Sequence, residues 1–247
     1  PSMGYSSYYD NIGDMANTGV EVVLNGDIFR TRNVVWSVNA NLTWVKNKVL
    51  SLPESRKDRT VDGHEGFISG STFLAEGLPL NTLYIHEYAG VNPENGLSMW
   101  YKKDEAVEGG WRTTSNYGDI SSDHDSKKLY DSTLADIFGG FGTSLYAYGF
   151  DFSIAFDYQL GGTTLDGSYA GYMAPSTASS LGKNYHLDLL DAWNKETNPN
   201  SEIPRFQFAD EYVNATSTRF LISSNYLNIS NISLGYTFPA KWWNGHI

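Results

Sequence analysis

The sequence predicts an all-β fold of antiparallel strands that form a segment of a transmembrane β-barrel with long extracellular loops. Three observations lead to this fold class. Long stretches alternate apolar and polar residues, aromatic residues make up 15% of the chain, and the connections are by turns very short and very long. Alternation with period two indicates strands, because successive side chains of a strand point to opposite faces.

The composition excludes several other classes of protein. The chain of 247 residues has no cysteine, so neither disulfides nor thiolate metal sites are available to it. No apolar run approaches the ~18 residues that a transmembrane helix needs. The net charge of -11 argues against a nucleic-acid partner, because such partners bind clustered Lys and Arg.

The first predicted hairpin joins residues 19–29 to residues 34–45. Every second residue from Val34 to Trp44 is apolar, and the residues between them are mostly small and polar. The preceding run alternates in the same way. The polar residues 30–33 therefore form a short connection between two strands.

A second hairpin is predicted at residues 141–160. Residues 141–147 place apolar side chains on one face, and residues 150–160 alternate almost without interruption. Gly149 supplies the tight turn between them, because glycine adopts positive φ without steric cost.

The last predicted strands occupy residues 219–229 and 230–238. Their apolar residues have opposite parity, so a bulge or a turn near Ser230 is needed to bring them to one face. Two further strands are predicted at residues 81–91 and 97–102. The total is about six to eight strands.

Strand length favours lipid over a protein core as the environment of the apolar faces. Strands of soluble proteins usually have about five or six residues, whereas a tilted membrane-spanning strand needs about 9–11. The four best strands alternate for roughly nine to twelve residues, and their polar faces suit a wet barrel interior. Trp36 and Trp44 lie near the two ends of one strand, where aromatic girdles meet the membrane surfaces. The predicted lipid-facing residues are Val34, Trp36, Val38, Leu42, Trp44, Phe150, Phe152, Ile154, Phe156, Ile232 and Leu234.

The connections alternate in length as those of outer-membrane barrels do. The turns at 30–33 and 149 are short, whereas the segments 46–136 and 161–218 are long. Because antiparallel strands alternate in direction, the short turns must share one end of the barrel. We therefore expect the long segments on the extracellular side and the short turns on the periplasmic side.

Four stretches of the sequence carry a resemblance to a known family. In chain order they are NTGVEVVLNGDIFRTRNVVWSVNANLTWVKNKVLSL, EGLPLNTLYIHEYAGVNPENG, DIFGGFGTSLYAYGFDFSIAFDYQLGG and STRFLISSNYLNISNISLGYTFP. In these stretches the chain resembles the C-terminal half of the barrel of SusC/RagA-type TonB-dependent outer-membrane transporters. The resemblance covers nearly the whole chain.

The resemblance implies a location, a function and partners. Such transporters are barrels of about 22 strands in the bacterial outer membrane, with an N-terminal plug that engages TonB and a SusD-like surface lipoprotein as a lid. The resemblance implies active import of oligosaccharides or peptides, with no enzymatic activity and no cofactor. Residues 1–247 are expected to lie within one barrel domain, whose plug, first half and final strands are outside this sequence. Because an open sheet edge in lipid leaves backbone groups unpaired, the remainder of the barrel and membrane lipid are expected neighbours.

The long loops hold the candidate substrate-binding residues. One loop places Trp100, Tyr101 and Trp111 near Asp104 and Glu105. Aromatic faces stack on sugar rings or side chains, and carboxylates accept hydrogen bonds from hydroxyls and amines. The same residues also suit loop packing and interfacial anchoring, which is the alternative interpretation.

Weaker signals occur at three other places. The acidic and histidine pairs at 123–125 and 64–65 lack the three or four converging ligands of a metal site, so they are interpreted as solvated loop charge. Residues 186–193 predict a short helix that packs on a loop through Leu187 and Leu190.

A second interpretation of the whole chain stays open, namely a secreted all-β carbohydrate-binding or hydrolytic domain. The aromatic residues and the acidity suggest it, but no GxSxG, HExxH, Walker or GxGxxG pattern occurs, and no catalytic residue is predicted. The two interpretations differ in what covers the apolar face. A transporter needs an outward apolar band about 25 Å tall, whereas a sandwich would seal that face inside.

Overall fold

A computed structural model describes residues 13–210 and 212–242. Within these residues there are fifteen strands: β1 (Asp14–Arg30), β2 (Val34–Ser51), β3 (Arg59–Val61), β4 (His64–Ser69), β5 (Thr72–Ala75), β6 (Thr82–His86), β7 (Tyr88–Val91), β8 (Ser98–Lys103), β9 (Trp111–Thr114), β10 (Lys127–Ser132), β11 (Ile137–Ala147), β12 (Phe150–Leu160), β13 (Thr163–Leu165), β14 (Leu221–Ser223) and β15 (Tyr226–Tyr236). The helices of the same residues are α1 (Gly167–Met173) and the 3-10 turns Glu54–Arg56, Tyr117–Asp119, His124–Ser126, Leu187–Asp191, Thr218–Phe220 and Ala240–Trp242. In the described ranges, no helix has the length and apolar character needed to cross a membrane.

The five longest strands form one antiparallel sheet in the order β1-β2-β11-β12-β15. Strands β1 and β2 have 17 and 18 residues, and the other three have 11 each. All five therefore reach the length of about 9–11 residues that a tilted membrane-spanning strand requires. The predicted fold class, an antiparallel all-β barrel segment, is confirmed.

The strand register brings the apolar residues of this sheet to one face. Trp36 lies opposite Leu145, which lies opposite Phe152, and Phe152 lies opposite Leu234. Residues in direct register share a face of the sheet. One step along the strands, the opposite face carries an uninterrupted row of serines, namely Ser37, Ser144, Ser153 and Ser233.

The C-terminal strand differs from the predicted pair of strands. Ile229 is paired with Phe156 and Asn231 with Ala155, so Ser230 is an extra residue in the ladder. One extra residue exchanges the two faces without ending the strand. Of the two alternatives at Ser230, the structure has the bulge, and residues 226–236 are a single strand, so the prediction of two separate strands at 219–229 and 230–238 is wrong.

The described residues contain five long strands, fewer than the six to eight strands predicted from the sequence. The predicted C-terminal pair is one strand, and the strands predicted at 81–91 and 97–102 belong to smaller sheets outside the main one. Strands β7 and β8 form a hairpin, but they have only 4 and 6 residues. Alternation over such short runs does not distinguish a loop strand from part of a barrel wall.

Both short turns lie at the same end of the main sheet. Tyr148 and Gly149 have φ values of 51° and 95°, which is the two-residue type I′ geometry that matches the twist of a hairpin. The amide of Tyr148 donates a hydrogen bond of 3.0 Å to the carbonyl of Asn33, which joins this turn to the β1–β2 turn. The long segments begin and end at the opposite end of the sheet.

The first long segment builds two small sheets. One has the order β10-β6-β5-β4-β3, and the other has the order β7-β8-β9. The core of the first consists of Phe73, Ala75 and Tyr84, each at most 2% exposed. Strands β3 and β10 are the two edges of this sheet.

This first sheet is fixed to the main sheet by an extension of β2. Trp44 is opposite the first residue of β11, so β2 continues for seven residues beyond its neighbour. The amide of Val49 in this extension donates 2.9 Å to the carbonyl of Leu78, and the carbonyl of Val49 accepts 3.0 Å from Gly77. The amide of Leu80 donates 2.7 Å to the side chain of Asn47.

The outer strands β1 and β15 do not pair with one another in the part of the chain that the structure describes. Each uses one edge to bond its neighbour in the sheet, and no described strand lies on the other edge. Every residue of β1 except Ala16 is exposed. The sheet is thus an open wall with two unpaired edges.

Candidate functional site

Three lysines line a cavity of about 440 Å³ between the two small sheets of the first long segment. The lining residues come from β3, β6, β8, β9 and β10 and from the turns that follow β3 and precede β10: Thr60, Val61, Asp62, Tyr84, Lys103, Trp111, Asp125, Lys127, Lys128 and Leu129. A cavity of this size is large enough for part of a small solute.

The pairing of β8 with β9 decides which aromatic residues face the cavity. Lys103 is opposite Trp111, so both side chains lie on one face of the hairpin. Tyr101 shares that face, because it is two residues from Lys103 in the same strand. Trp100 has the opposite parity and points to the other side.

Lys128 is held by both aromatic residues of this face. Its ammonium lies 4.6 Å from the ring centre of Trp111 and 5.7 Å from that of Tyr101. Distances below about 6 Å are typical of cation–π contacts. The same ammonium forms an ion pair with Glu87, so the charge of Lys128 is balanced within the loop.

Lys103 and Lys127 differ from Lys128 in their charge balance. Among the described residues, neither ammonium has a carboxylate within ion-pair distance. Lys127 is half-buried and lies 5.8 Å from the ring centre of Tyr84. Burial, followed by repulsion from Arg59, lowers the pKa of Lys127. Arg59 itself is paired at 2.6 Å with Asp125.

Trp100 is part of a separate aromatic cluster. It is 2% exposed, and its ring centre lies 5.0 Å from that of Tyr117 and 6.4 Å from that of Tyr88. Tyr117 in turn stacks on Tyr212 at 5.3 Å and meets His86 edge-on at 5.6 Å. This cluster packs β6, β7 and β8 against the second long segment.

The two predicted acidic residues lie in the β8–β9 connection. Asp104 accepts 3.1 Å from the amide of Ala106 and 2.9 Å from Nε of Arg112. Glu105 is exposed beside it. Of the five predicted residues, Trp111 alone is in the cavity lining given above; Tyr101 joins it around the ammonium of Lys128, and Trp100, Asp104 and Glu105 lie elsewhere. Substrate binding by these five residues stays a prediction.

Sequence reasoning missed the lysines that line the cavity. A usable signal was present, because lysine pairs occur at 102–103 and at 127–128 in a chain with a net charge of -11. Their convergence was not visible, because it depends on β10 approaching β8 and β9 across the cavity.

The eleven residues predicted to face lipid all lie on one face of the main sheet. From Val34 to Trp44 there are ten residue steps, which at about 3.4 Å per step give ~34 Å along the strand. With a strand tilt of about 40°, this corresponds to ~26 Å across a membrane, close to the apolar band of outer-membrane barrels. Contact of this face with lipid stays a prediction.

The weaker sequence signals serve structural roles in the described residues. Asp123 accepts hydrogen bonds from the amide of Asp125 and the hydroxyl of Ser126, and His64 contacts the carbonyl of Glu76 at 2.9 Å. No three metal-ligating side chains converge in the described ranges.

The predicted helix at 186–193 is a 3-10 turn, Leu187–Asp191. Leu187 and Leu190 are 78% and 85% exposed, so the predicted packing of these two leucines on a loop is wrong. Instead, the main chain of the segment is held by the amide of Trp193, which donates 2.8 Å to the carbonyl of Ile203.

The sequence is similar to curated relatives along nearly its whole length, although no family model matches it. Over 97% of the chain it is 29% identical to TonB-dependent receptor P3 of Formosa agariphila. Over 94% of the chain it is 24% identical to the TonB-dependent receptor SusC of Bacteroides thetaiotaomicron. The chain spans about a quarter of the length of these relatives, 23% of the first and 21% of the second.

The fold is similar to that of solved transporters. The RagAB peptide importer in the 'closed-closed' state matches with a TM-score of 0.73 and 25% identity, over 99% of this chain and 25% of that one. The structure of the RagAB peptide transporter matches with a TM-score of 0.74 and 24% identity, over 100% of this chain and 25% of that one. The resemblance of this chain to TonB-dependent receptors of the SusC and RagA type, predicted from its four motifs, is thereby confirmed.

Proposed function

We propose that this chain is a quarter of a TonB-dependent transporter that imports oligosaccharides or peptides across the bacterial outer membrane. In this proposal the chain forms part of one barrel domain, and the plug that engages TonB lies in another part of the protein. The similarity to TonB-dependent receptors supports transport, and the similarity to the RagAB peptide importer supports peptides as one substrate class.

One observation carries this proposal, namely the apolar face of the main sheet. Trp36, Phe152 and Leu234 are 43%, 37% and 74% exposed, although they lie in register with one another across the sheet. A soluble protein rarely leaves a contiguous apolar face of this size in water. Lipid would cover such a face, and the serine-rich opposite face would line a wet interior.

The alternative is a secreted all-β carbohydrate-binding or hydrolytic domain. It requires a second layer that seals the apolar face, as in a sandwich. In the described residues no second sheet covers this face, and the long segments lie at the end of the strands. The exposed face therefore favours the transporter.

The open edges and the loop end of the sheet support two kinds of partner. Unpaired backbone groups in lipid cost several kcal/mol each, so β1 and β15 need neighbouring strands from the rest of the barrel. At the loop end, Leu187 and Leu190 are exposed, which suits contact with a surface lipoprotein of the SusD type. The lipoprotein is proposed from the family resemblance, and the exposed leucines are where its contact would be sought.

Uptake by intact cells tests the proposed function. We expect cells that express the full-length transporter to take up labelled oligosaccharides or peptides, and to lose this uptake when TonB is deleted. Purification in mild detergent, with mass spectrometry of each co-eluting polypeptide, should recover a lipoprotein. Equal uptake with and without TonB, for every solute in a mixed library, would contradict the proposal.

A further inference from the structure

We infer that the lysine-lined cavity is a subsite for an anionic substituent, the carboxylate or sulfate ester of an acidic sugar, with Lys103 and Lys127 as the residues that bind it. The inference rests on the proposed function, because it assigns a substrate class to the same transporter. It goes beyond that function in naming the charge of the substrate and the side chains that recognise it.

The charge of the cavity supports an anionic ligand. Its lining holds three lysines and two aspartates, whereas the chain as a whole has a net charge of -11. Asp125 is paired with Arg59, and Lys128 is paired with Glu87. This pairing leaves Lys103 and Lys127 as the cations of the cavity that lack a carboxylate partner in the described residues.

The position of Lys127 also supports an anionic ligand. An ammonium that is partly removed from water without a counter-ion destabilises the fold unless something compensates it. Lys127 is half-buried, and both burial and the nearby Arg59 lower its pKa. An anion in the cavity would supply the missing partner, and its binding would strengthen as the cavity excludes water.

The other groups that line the cavity suit the sugar ring of the bound molecule. The indole of Trp111 forms an apolar wall on which a sugar ring can stack. Thr60 in the edge strand β3 and Asp62 in the turn that follows it offer oxygen atoms that accept hydrogen bonds from sugar hydroxyls. An acidic sugar carries hydroxyl donors on the same ring as its anionic group, whereas an acidic side chain carries no donor next to its carboxylate. The combination of two free cations, one aromatic wall and one free carboxylate therefore favours an acidic sugar over an acidic peptide.

The geometry of the rim keeps these groups in place. Asp62 and Gly63 form the β3–β4 turn with φ values of 48° and 81°, which holds Asp62 at the edge of the cavity. Lys103 is fixed through its own amide, which donates 2.9 Å to the hydroxyl of Ser126 in the turn before β10. Strand β8 and the start of β10, which carry the two lysines, are thus tied to each other before any ligand binds.

The test is equilibrium binding to the detergent-purified full-length transporter. The probes are tetragalacturonate, the same tetrasaccharide with its carboxyl groups reduced to alcohols, the reduced tetrasaccharide with sulfate esters, and tetraglutamate. We expect tetragalacturonate or the sulfated probe to bind at least tenfold more tightly than the reduced sugar, which is what one charge-assisted hydrogen bond contributes. The preference should weaken as salt is raised.

Matched variants assign the preference to the two lysines. K103Q and K103Q/K127Q should abolish the preference for the charged sugar and leave the affinity for the reduced sugar within about threefold. K102Q is the control, because Lys102 has the opposite parity to Lys103 in β8 and is not part of the lining. K103R/K127R should retain the preference, which separates loss of charge from disturbed folding.

Three results would overturn the inference: equal binding of charged and reduced sugars by the wild type, an equal loss in K102Q, or tetraglutamate binding as tightly as tetragalacturonate. Uptake measured in the same strains keeps the two proposals apart. If TonB-dependent uptake of other solutes persists while the charged sugar shows no preference, the subsite is refuted and the transporter stands.

Discussion

The apolar face of the main sheet makes a prediction about two adjacent residues of β12. Ile154 lies between Thr143 and Ile232 on the apolar face, and Ser153 lies between Ser144 and Ser233 on the polar face. Both residues are within two positions of Ala155, the middle of this strand. They therefore differ in face but hardly at all in membrane depth.

We expect Ile154→Arg to impair assembly and Ser153→Arg to be tolerated. An arginine that faces lipid near the midplane costs about 2–4 kcal/mol in barrel hosts. At about 1.36 kcal/mol per factor of ten, this reduces the folding equilibrium constant by roughly 30- to 900-fold. An arginine in the serine row would stay hydrated in the barrel interior, so its cost should be below about 1 kcal/mol.

The assay is the yield of folded barrel in outer membranes, read from the mobility shift between unheated and boiled samples on a denaturing gel. Ile154→Leu is the control for a change of shape without charge. If both arginine variants fold with the same yield, the assignment of faces is refuted. If only Ser153→Arg fails, lipid and interior have been exchanged.

Four further predictions concern other parts of the chain. A cysteine in place of Tyr148, in the turn between β11 and β12, should be labelled by an impermeant maleimide only after the outer membrane is opened. A cysteine in place of Leu187 should be labelled in intact cells. Labelling of position 148 from outside would overturn the topology. Trp100→Ala should destabilise the loop sheets by about 3–5 kcal/mol because it empties a buried aromatic site, while Trp111→Ala at the cavity should cost less, a difference that hydrogen exchange of β6 and β8 in the intact transporter would measure. Burial lowers the pKa of His86, so the unfolded segment binds a proton more readily than the folded one. The stabilising contribution of neutral His86 should therefore be present above pH ~6.5 and be lost as the pH falls through the lowered pKa. His86→Gln should flatten the pH dependence of hydrogen exchange in β6. Expressed alone, residues 1–247 should not form a stable monomer, because β1 and β15 each keep an open edge; a monodisperse folded species by light scattering would contradict this.

The membrane-length hairpins could be predicted from the sequence because an apolar–polar alternation has only one register in which the apolar residues share a face. Val34 to Trp44 and Phe150 to Leu160 therefore appear in the structure with the faces that their spacing predicted. The bulge at Ser230 was also visible as a change of parity. Its consequence, one strand in place of two, depends on pairing with β12.

The candidate site was less predictable, because long-range contacts within the loops form it. The alternation of β8 separates Trp100 from Tyr101, but a run of six residues does not reveal which face is buried. The approach of β10 to the hairpin of β8 and β9 decides that Lys128 meets Trp111. No local pattern encodes that distance. The exposure of Leu187 and Leu190 was unpredictable for a similar reason, because their spacing does not tell whether another segment packs on them.

The extension of β2 makes the loop end of the main sheet a rigid support for the first loop sheet. Seven residues of β2 extend ~24 Å along the strand beyond the first residue of β11. The sheet that contains Lys127 is hydrogen-bonded to this extension through Val49 and Asn47. A force on this loop sheet is therefore transmitted to the main sheet and is not absorbed by the bending of a flexible connection. In the proposed transporter, a solute that arrives at this rim meets a fixed support, so we expect any closing movement over it to come from another component.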